Sequence, residues 1–326
     1  MDKVLGIGNA LVDVLVKIED DTILERMNMP RGSMQLINED ALSAIKNMLS
    51  AMHTEMATGG SAGNAIKAIA NMGCQPGFIG TVGNDQYGEF FRQTFANLGT
   101  DLKLCITDDR PTGIASTFIS ADSERTFATY LGAAACINPE SITPELMHGY
   151  RYLFIEGYLV PCEELIVKIM QTAKEAGLVV CLDLASYNIV EANRALFRSL
   201  VKEYVDIVFA NEEESRAFSG CEPRQALDDI AGMTDIAVVK LGGEGAMIRR
   251  GDEVVSVDAI KVDRVLDTTG AGDYFAGGFL YALSAGGSLR ECAHAGTVFA
   301  GNVIQHIGTT LPDSTWQSIR ESIAIH

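Results

Sequence analysis

Basic residues are scarce in this chain. Lysine and arginine number 25 against 43 aspartates and glutamates, a net charge of −18 over 326 residues. The longest basic cluster is the pair Arg249-Arg250. The footprint that a nucleic-acid partner requires is therefore missing, and the acidic excess reads as solubility. No apolar run reaches the length of a membrane span. The Met1-Asp2-Lys3 start runs into a short apolar stretch without the long core of a secretory signal. The seven cysteines are scattered with no Cys-x-x-Cys pair, and the five histidines form no ligand cluster. Neither zinc nor a disulfide framework is expected, and free thiols point to a cytoplasmic protein. His294 and His306 are expected on helical faces. Also absent are the phosphate-loop Gly-x-x-x-x-Gly-Lys-Ser/Thr and the His-Arg-Asp and Asp-Phe-Gly motifs of protein kinases. Gly6 and Gly8 lack the third glycine of a dinucleotide fingerprint, which leaves an NAD-dependent oxidoreductase with little support. No internal repeat, low-complexity stretch or linker interrupts the chain.

The most informative run present is Asp267-Thr268-Thr269-Gly270-Ala271-Gly272-Asp273. Two glycines free backbone N–H groups to turn toward an anion, and the apolar stretch from Tyr274 to Leu283 reads as a buried helix. The run is thus a loop entering a helix N-terminus, a ready-made anion site. Asp273 falls in the first helical turn. Two readings are open: a carboxylate that complements the helix dipole, or a base that accepts a proton from a substrate hydroxyl.

Elsewhere the pattern is α/β. Val4 to Gly8 reads as a central strand, Gln75 to Thr81 as another, and Asp40 to Met52 as a helix capped by Asn38 or Asp40. Helices are also read over Ala62 to Met72 and Gln86 to Leu98. Leu102 to Thr107, Ile114 to Ser120 and Thr126 to Tyr130 read as strands around turns at Asp108-Asp109 and Asp122-Ser123. After Pro144, strand runs (Tyr152 to Ile155, Val179 to Leu182, Ile207 to Phe209, Ile236 to Leu241) alternate with helical ones such as Cys162 to Ala176, Ala192 to Val201 and Glu212 to Ser219. That alternation implies a parallel sheet covered by helices on both faces. Ligands of such sheets bind at the carboxyl ends of strands, here occupied by Asn9, Glu156, Asp183, Asn211 and the segment from Lys240 to Gly243.

The Asp-Thr-Thr-Gly-Ala-Gly-Asp-x-Phe-x-Gly-Gly run closely resembles the C-terminal signature of the PfkB (ribokinase-like) carbohydrate kinases. Gly59-Gly60-Ser61-Ala62-Gly63-Asn64-Ala65 is similar to the family's N-terminal Gly-Gly-x-x-x-Asn-x-Ala segment. The resemblance extends from Gly6 to about Pro312. It implies one large α/β domain over residues 1–326, with a mainly parallel sheet and a small discontinuous β lid from segments near 12–18, 31–37 and 101–130.

The resemblance also implies roles. Asp273 would be the base, and Gly270, Ala271 and Gly272 the anion hole for the transferred phosphoryl group. Asn211 and Glu214 resemble the Asn-x-x-Glu motif that organises Mg²⁺, although an Asn cap with an acidic first turn is the plain alternative. Lys240, Gly242, Gly243 and Gly245 match the segment beside the ribose and phosphates of ATP, Thr268 lies in the anion loop, and Asn302 falls where the family lines its adenine pocket. Asp267, with the backbone at Thr269 and Gly308, resembles a monovalent-cation site, so K⁺ is an open expectation. For the acceptor, Asn9, Asp13, Gly59, Gly60 and Asn64 match, with Arg125 and Phe127 placed to close over it.

Gly8-Asn9-Ala10-Leu11-Val12-Asp13 and Arg110-Pro111-Thr112-Gly113 are more similar to adenosine-kinase-type members than to typical ribokinases. Phe118, Phe127 and Tyr130 are candidates to stack on a purine or simply to pack the lid. The resemblance therefore implies ATP-dependent phosphorylation of a sugar or ribonucleoside hydroxyl by a monomer or homodimer, with no nucleic-acid or membrane partner. A non-catalytic ligand sensor on the same fold is the alternative.

Overall fold

The computed structural model describes residues 1–121 and 124–323. The turn expected at Asp122-Ser123 and the residue His326 lie outside the described residues. In chain order the strands are β1 (Val4–Ile7), β2 (Leu11–Lys17), β3 (Met34–Leu36), β4 (Thr54–Gly59), β5 (Gly77–Gly83), β6 (Asp101–Thr107), β7 (Gly113–Ile119), β8 (Arg125–Tyr130), β9 (Tyr152–Glu156), β10 (Val179–Asp183), β11 (Ile207–Asn211), β12 (Ile236–Lys240), β13 (Ala246–Arg250) and β14 (Glu253–Val257). They form a large sheet, β14-β13-β12-β11-β10-β9-β1-β5-β6, and a smaller one, β3-β8-β7-β2-β4. From β12 to β6 the large sheet is parallel, and only the β12–β14 meander is antiparallel.

The central strands of the large sheet are apolar because both of their faces are covered. Leu5, Ile7, Leu153, Ile155, Val180 and Leu182 face one layer, packed by the helices Glu163–Glu175, Arg194–Tyr204, Glu212–Ser219 and Pro223–Ala231. Val4, Phe154, Cys181, Ile207 and Phe209 face the other, packed by the helices Ser61–Asn71, Gln86–Asn97, Ala271–Ser284 and Leu289–Val303. β1 lies between β9 and β5. The chain leaves β1 toward one edge and later returns to its other side, which opens a crevice at the carboxyl ends of β1 and β9.

The smaller sheet carries the helix Glu39–Leu49, capped by Asn38, whose side chain accepts from the Ala41 N–H. Leu42, Ile45 and Leu49 pack on Val14, Val16, Ile114, Phe118, Ala128 and Tyr130. Period-two alternation puts Asp13, Arg125 and Phe127 on the opposite face. Segments 12–18 and 31–37 do enter this smaller sheet, but 101–130 does so only in part. Asp101–Thr107 pairs parallel with β5 as an edge strand of the large sheet, because the preceding Gln86–Asn97 helix returns the chain to that free edge. The lid also gains β4, which reads weakly as a strand because Thr54 to Met56 are largely exposed. Two smaller differences concern helices. The run from Ala192 to Val201 breaks at Asn193 into Tyr187–Ala192 and Arg194–Tyr204. His306 lies beyond the Leu289–Val303 helix, beside the Thr315 hydroxyl.

Candidate active site

Gly270 is the N-cap of the Ala271–Ser284 helix, with φ 75°. A Cβ there would stand 2.6 Å from Thr309 Cγ2, so both the left-handed backbone and the space require glycine. Ala271, Gly272 and Asp273 form the first turn. Further along, Gly277 and Gly278 bring this helix against its neighbours: their Cβ positions would lie 2.8 Å from the Ala65 carbonyl and 2.5 Å from that of Ala295. Helix-interior glycines cost about 0.5–1 kcal/mol each relative to alanine, and here Gly277 sets this helix beside the Ser61–Asn71 helix and Gly278 sets it beside Leu289–Val303. That close packing has a polar consequence. Ser61 Oγ donates to Asp273 Oδ1 at 2.7 Å and Asn64 Nδ2 donates to Oδ2 at 2.9 Å. Burial holds the Asp273 carboxyl above its ordinary range, while the Asn64 and Ser61 donors oppose that shift. Asn64 Oδ1 is buried and has no hydrogen-bond partner.

Among the residues expected beside the nucleotide, Lys240 at the end of β12 places Nζ 2.8 Å from Asp183 Oδ2, and 3.1 Å from where a Gly272 Cβ would be. Burial alone would lower the Lys240 pKa, but Asp183, Glu214 and Asp273 outweigh it and hold the ammonium above its usual value. Glu214 and Asn211 form a reciprocal cap: Asn211 N and Nδ2 donate to the two Glu214 oxygens at 2.7 and 2.8 Å, and Glu214 N donates to Asn211 Oδ1 at 2.8 Å. Burial pushes Glu214 up to about 7, with Asp183 and Asp273 adding to the shift and Lys240 opposing it.

The plain capping role of Asn211 is therefore real, yet the surrounding charge still favours a cation. Asp183, Glu214 and Asp273 face a single ammonium. Among the described residues no group of three or more His, Cys, Asp or Glu side chains stands ready to hold a metal unaided. Hard carboxylate oxygens in that number suit Mg²⁺ bound chiefly to phosphates and water. Gly242, Gly243 and Thr268 are exposed, Gly245 is a buried turn residue, and the Asn302 amide donates to Val298 O of its own helix.

Among the residues expected to hold the acceptor, the Asp13 carboxylate packs directly over Gly59. Burial pushes it up to about 6, against the lowering pull of Lys67 and Arg125. Lys67 is itself buried, which brings it down to about 8. Its ammonium donates to Thr58 O, Thr58 Oγ1 and Thr309 Oγ1 at 3.0, 3.3 and 2.9 Å. Gly60 is the N-cap of the Ser61–Asn71 helix, where a Cβ would strike Asn9 O.

Two expected acceptor contacts are engaged elsewhere. Asn9 donates its backbone N–H to Glu156 Oε1 at 2.8 Å, and its amide donates to the same oxygen. Arg125 is spent on an ion pair, with Nη2 2.6 Å from Asp267 Oδ2. Asp267 also accepts from Thr269 N at 3.0 Å and Gly308 N at 2.6 Å. N–H donors and a guanidinium thus surround this carboxylate, and the residues do not fit a monovalent cation. Phe118 and Tyr130 belong to the lid core; Phe127 alone of the three lies on the cleft face.

The sequence offered no role for Ser61, Glu156, Asp183 or Lys67. Glu156 and Asp183 were visible as strand ends. Glu156 is 1% exposed and also accepts from Ala62 N at 3.0 Å, so it ties the end of β1 to the Ser61–Asn71 helix, whose Ser61 and Asn64 donate to Asp273. Burial pushes it up to about 7. Ser61 and Lys67 carry no signal beyond their helix, since only packing turns them toward Asp273 and Thr309.

A carboxylate fixed between two donors, in the first turn of a helix with a glycine entrance, is an arrangement able to serve phosphoryl transfer to a hydroxyl. The large mainly parallel sheet with its second small sheet is the ribokinase-like α/β architecture. Similarity to known proteins agrees. The model of the "pfkB family carbohydrate kinase" matches residues 33–316. The chain is 34% identical to the adenosine kinase of Sinorhizobium meliloti, with TM-score 0.89, covering 98% of this chain and 99% of that one. It is 33% identical to a probable sugar kinase of Rhizobium etli, with TM-score 0.89 and 98% of both chains covered. It is 27% identical to adenosine kinase 2 of Arabidopsis thaliana over 95% of each chain. The chain belongs to the pfkB family of carbohydrate kinases, and the family makes ATP its phosphoryl donor. Among the described residues no helix is long and apolar enough to cross a membrane.

Proposed function

We propose that this kinase phosphorylates the primary hydroxyl of a ribonucleoside, with Asp273 as the general base. The observation that carries the reading is the Asp273 carboxylate, held by Ser61 and Asn64 next to an Asn64 oxygen that lacks a partner. A buried acceptor without a donor is costly, and a second hydroxyl of the acceptor, beside the one that reacts, is the donor it lacks. Asp273 takes the proton of the primary hydroxyl as that oxygen attacks the γ-phosphorus in line, the bond to the β-phosphate breaks and ADP leaves. The N–H groups around Gly270, Ala271 and Gly272 receive the developing charge, and Lys240 adds a cation beside Gly272. Glu214, with Asn211 as its cap, is the residue that would hold Mg²⁺ through water. The ion would neutralise phosphate charge. Lys240, Gly242, Gly243, Gly245, Thr268 and Asn302 form the nucleotide side. Asp13, over Gly59 and Gly60, accepts hydrogen bonds from ribose hydroxyls. Lid closure excludes water and limits idle ATP hydrolysis.

Similarity to adenosine kinases across nearly the whole chain supports a nucleoside over a free hexose, as does Phe127 on the cleft face, a surface for a base to stack on. The seven unpaired cysteines support a cytoplasmic setting. The test is kcat/KM for adenosine, inosine, ribose and fructose at fixed ATP and Mg²⁺. Nucleosides are expected to lead. A sugar exceeding both by tenfold, about 1.4 kcal/mol in transition-state binding, would replace the nucleoside reading with a sugar-kinase one.

A further inference from the structure

We infer that this enzyme needs no monovalent cation at its anion loop, because the lid residue Arg125 supplies the positive charge there. Asp267 opens the loop that leads to Gly270. Its Oδ1 accepts from Thr269 N, and its Oδ2 accepts from Gly308 N while lying 2.6 Å from Arg125 Nη2. Both side chains of the pair are withdrawn from water, at 7% and 3% exposure. A dehydrated monovalent cation is held by several oxygens that replace its water. Here the carboxylate is met by N–H donors and a guanidinium instead. A second cation on the same oxygens would face Arg125 across a desolvated gap, where like charges repel strongly. Arg125 stays charged at any working pH, and Asp13 shares in balancing it. Nη2 makes no aligned hydrogen bond, so the contact acts through charge more than direction.

The position of Arg125 in the fold gives the pair its consequence. It begins β8, in the lid, whereas Asp267 belongs to the body that carries the base. The counter-charge for Asp267 therefore comes from the smaller sheet, so the pair ties that sheet to the body in a way a diffusible ion could not. Arg125 acts here as a positioning residue: it neutralises Asp267, and Asp267 fixes the Thr269 and Gly308 amides on either side of the loop.

The inference deepens the kinase reading, and its activity arm rests on that reading, so stability serves as a second readout. Dialysed enzyme is melted, and its acceptor-dependent ADP release followed, in KCl, RbCl and tetramethylammonium chloride at equal ionic strength. An ion that binds the folded state raises the melting temperature with its concentration. The wild type is expected to melt and turn over alike in all three salts. A saturable, K⁺-specific rise in its melting temperature would overturn the inference whether or not an acceptor has been found.

Arg125→Gln is expected to lose roughly ten- to a hundredfold in turnover, the loss of one charge-assisted contact. Arg125→Lys, or millimolar guanidinium added to Arg125→Gln, is expected to restore part of it. An Arg125→Gln enzyme with wild-type turnover and melting would show that Asp267 needs no cation from Arg125. Should Arg125→Gln fail to fold, the comparison of Arg125→Lys with wild type in the three salts still decides, since a K⁺-specific rise in either would contradict a built-in cation.

Discussion

Glu156 gives the sharpest test of how buried charge is arranged beneath the site. The residue is 1% exposed and accepts three hydrogen bonds, two from Asn9 and one from Ala62 N. Burial raises its pKa from 4.5 to about 7. The folded protein therefore binds more protons at this carboxyl than the unfolded chain between those two values. Stability must then fall as pH rises through that window, and level off above it. A shift of this size, at about 1.4 kcal/mol per pH unit, corresponds to about 3 kcal/mol. Glu156→Gln keeps the shape and removes the titration. Its amide nitrogen will face one of the three donors, a penalty of about 1–3 kcal/mol that does not depend on pH.

Urea denaturation of both proteins from about pH 4.5 to about pH 8.5 isolates the titrating part, since Glu214 and Asp13 are common to both. The variant is expected to gain about 3 kcal/mol on the wild type across that range. A difference in stability that stays flat with pH would refute the account of Glu156 as a buried carboxyl that gives up its proton only near neutral pH.

Asp13→Ala is expected to weaken acceptor binding by roughly 1.5–3 kcal/mol, the loss of charge-assisted hydrogen bonds, with ATP affinity nearly unchanged; calorimetry with each ligand checks this, and equal losses would count against the assignment. Ser61→Ala removes one of the two donors that oppose the raised pKa of Asp273. The acid limb of its kcat/KM profile is expected to move to higher pH, because the base stays protonated further up the scale, and an unmoved limb would remove Ser61 from that role.

The parallel sheet was legible in the sequence because strands covered on both faces are written as apolar runs separated by helical ones, as Val179–Asp183 and Ile207–Asn211 are. The helix entrance was legible for the same local reason: Gly270 can hold a backbone and a close contact that no other residue can. The lid was less so. Thr54–Gly59 is half exposed and gives little alternation, and Asp101–Thr107 is a good strand whose sheet depends on where the preceding helix delivers it. Side-chain commitments were the least legible. Asn9 and Arg125 look alike as polar residues near a cleft, yet one is turned inward onto Glu156 and the other is paired with Asp267 from a distant segment. Pairings over such sequence separations follow from packing, and no local pattern records them.

The central claim is that Asp273 is the base of an acceptor-dependent phosphoryl transfer. The most direct measurement is ADP release by Asp273→Asn against wild type, with nucleotide and acceptor affinities measured on both proteins. The account expects kcat to fall by about 10²–10⁴ while both ligands bind nearly as before. A variant that retains most of the wild-type kcat would contradict it.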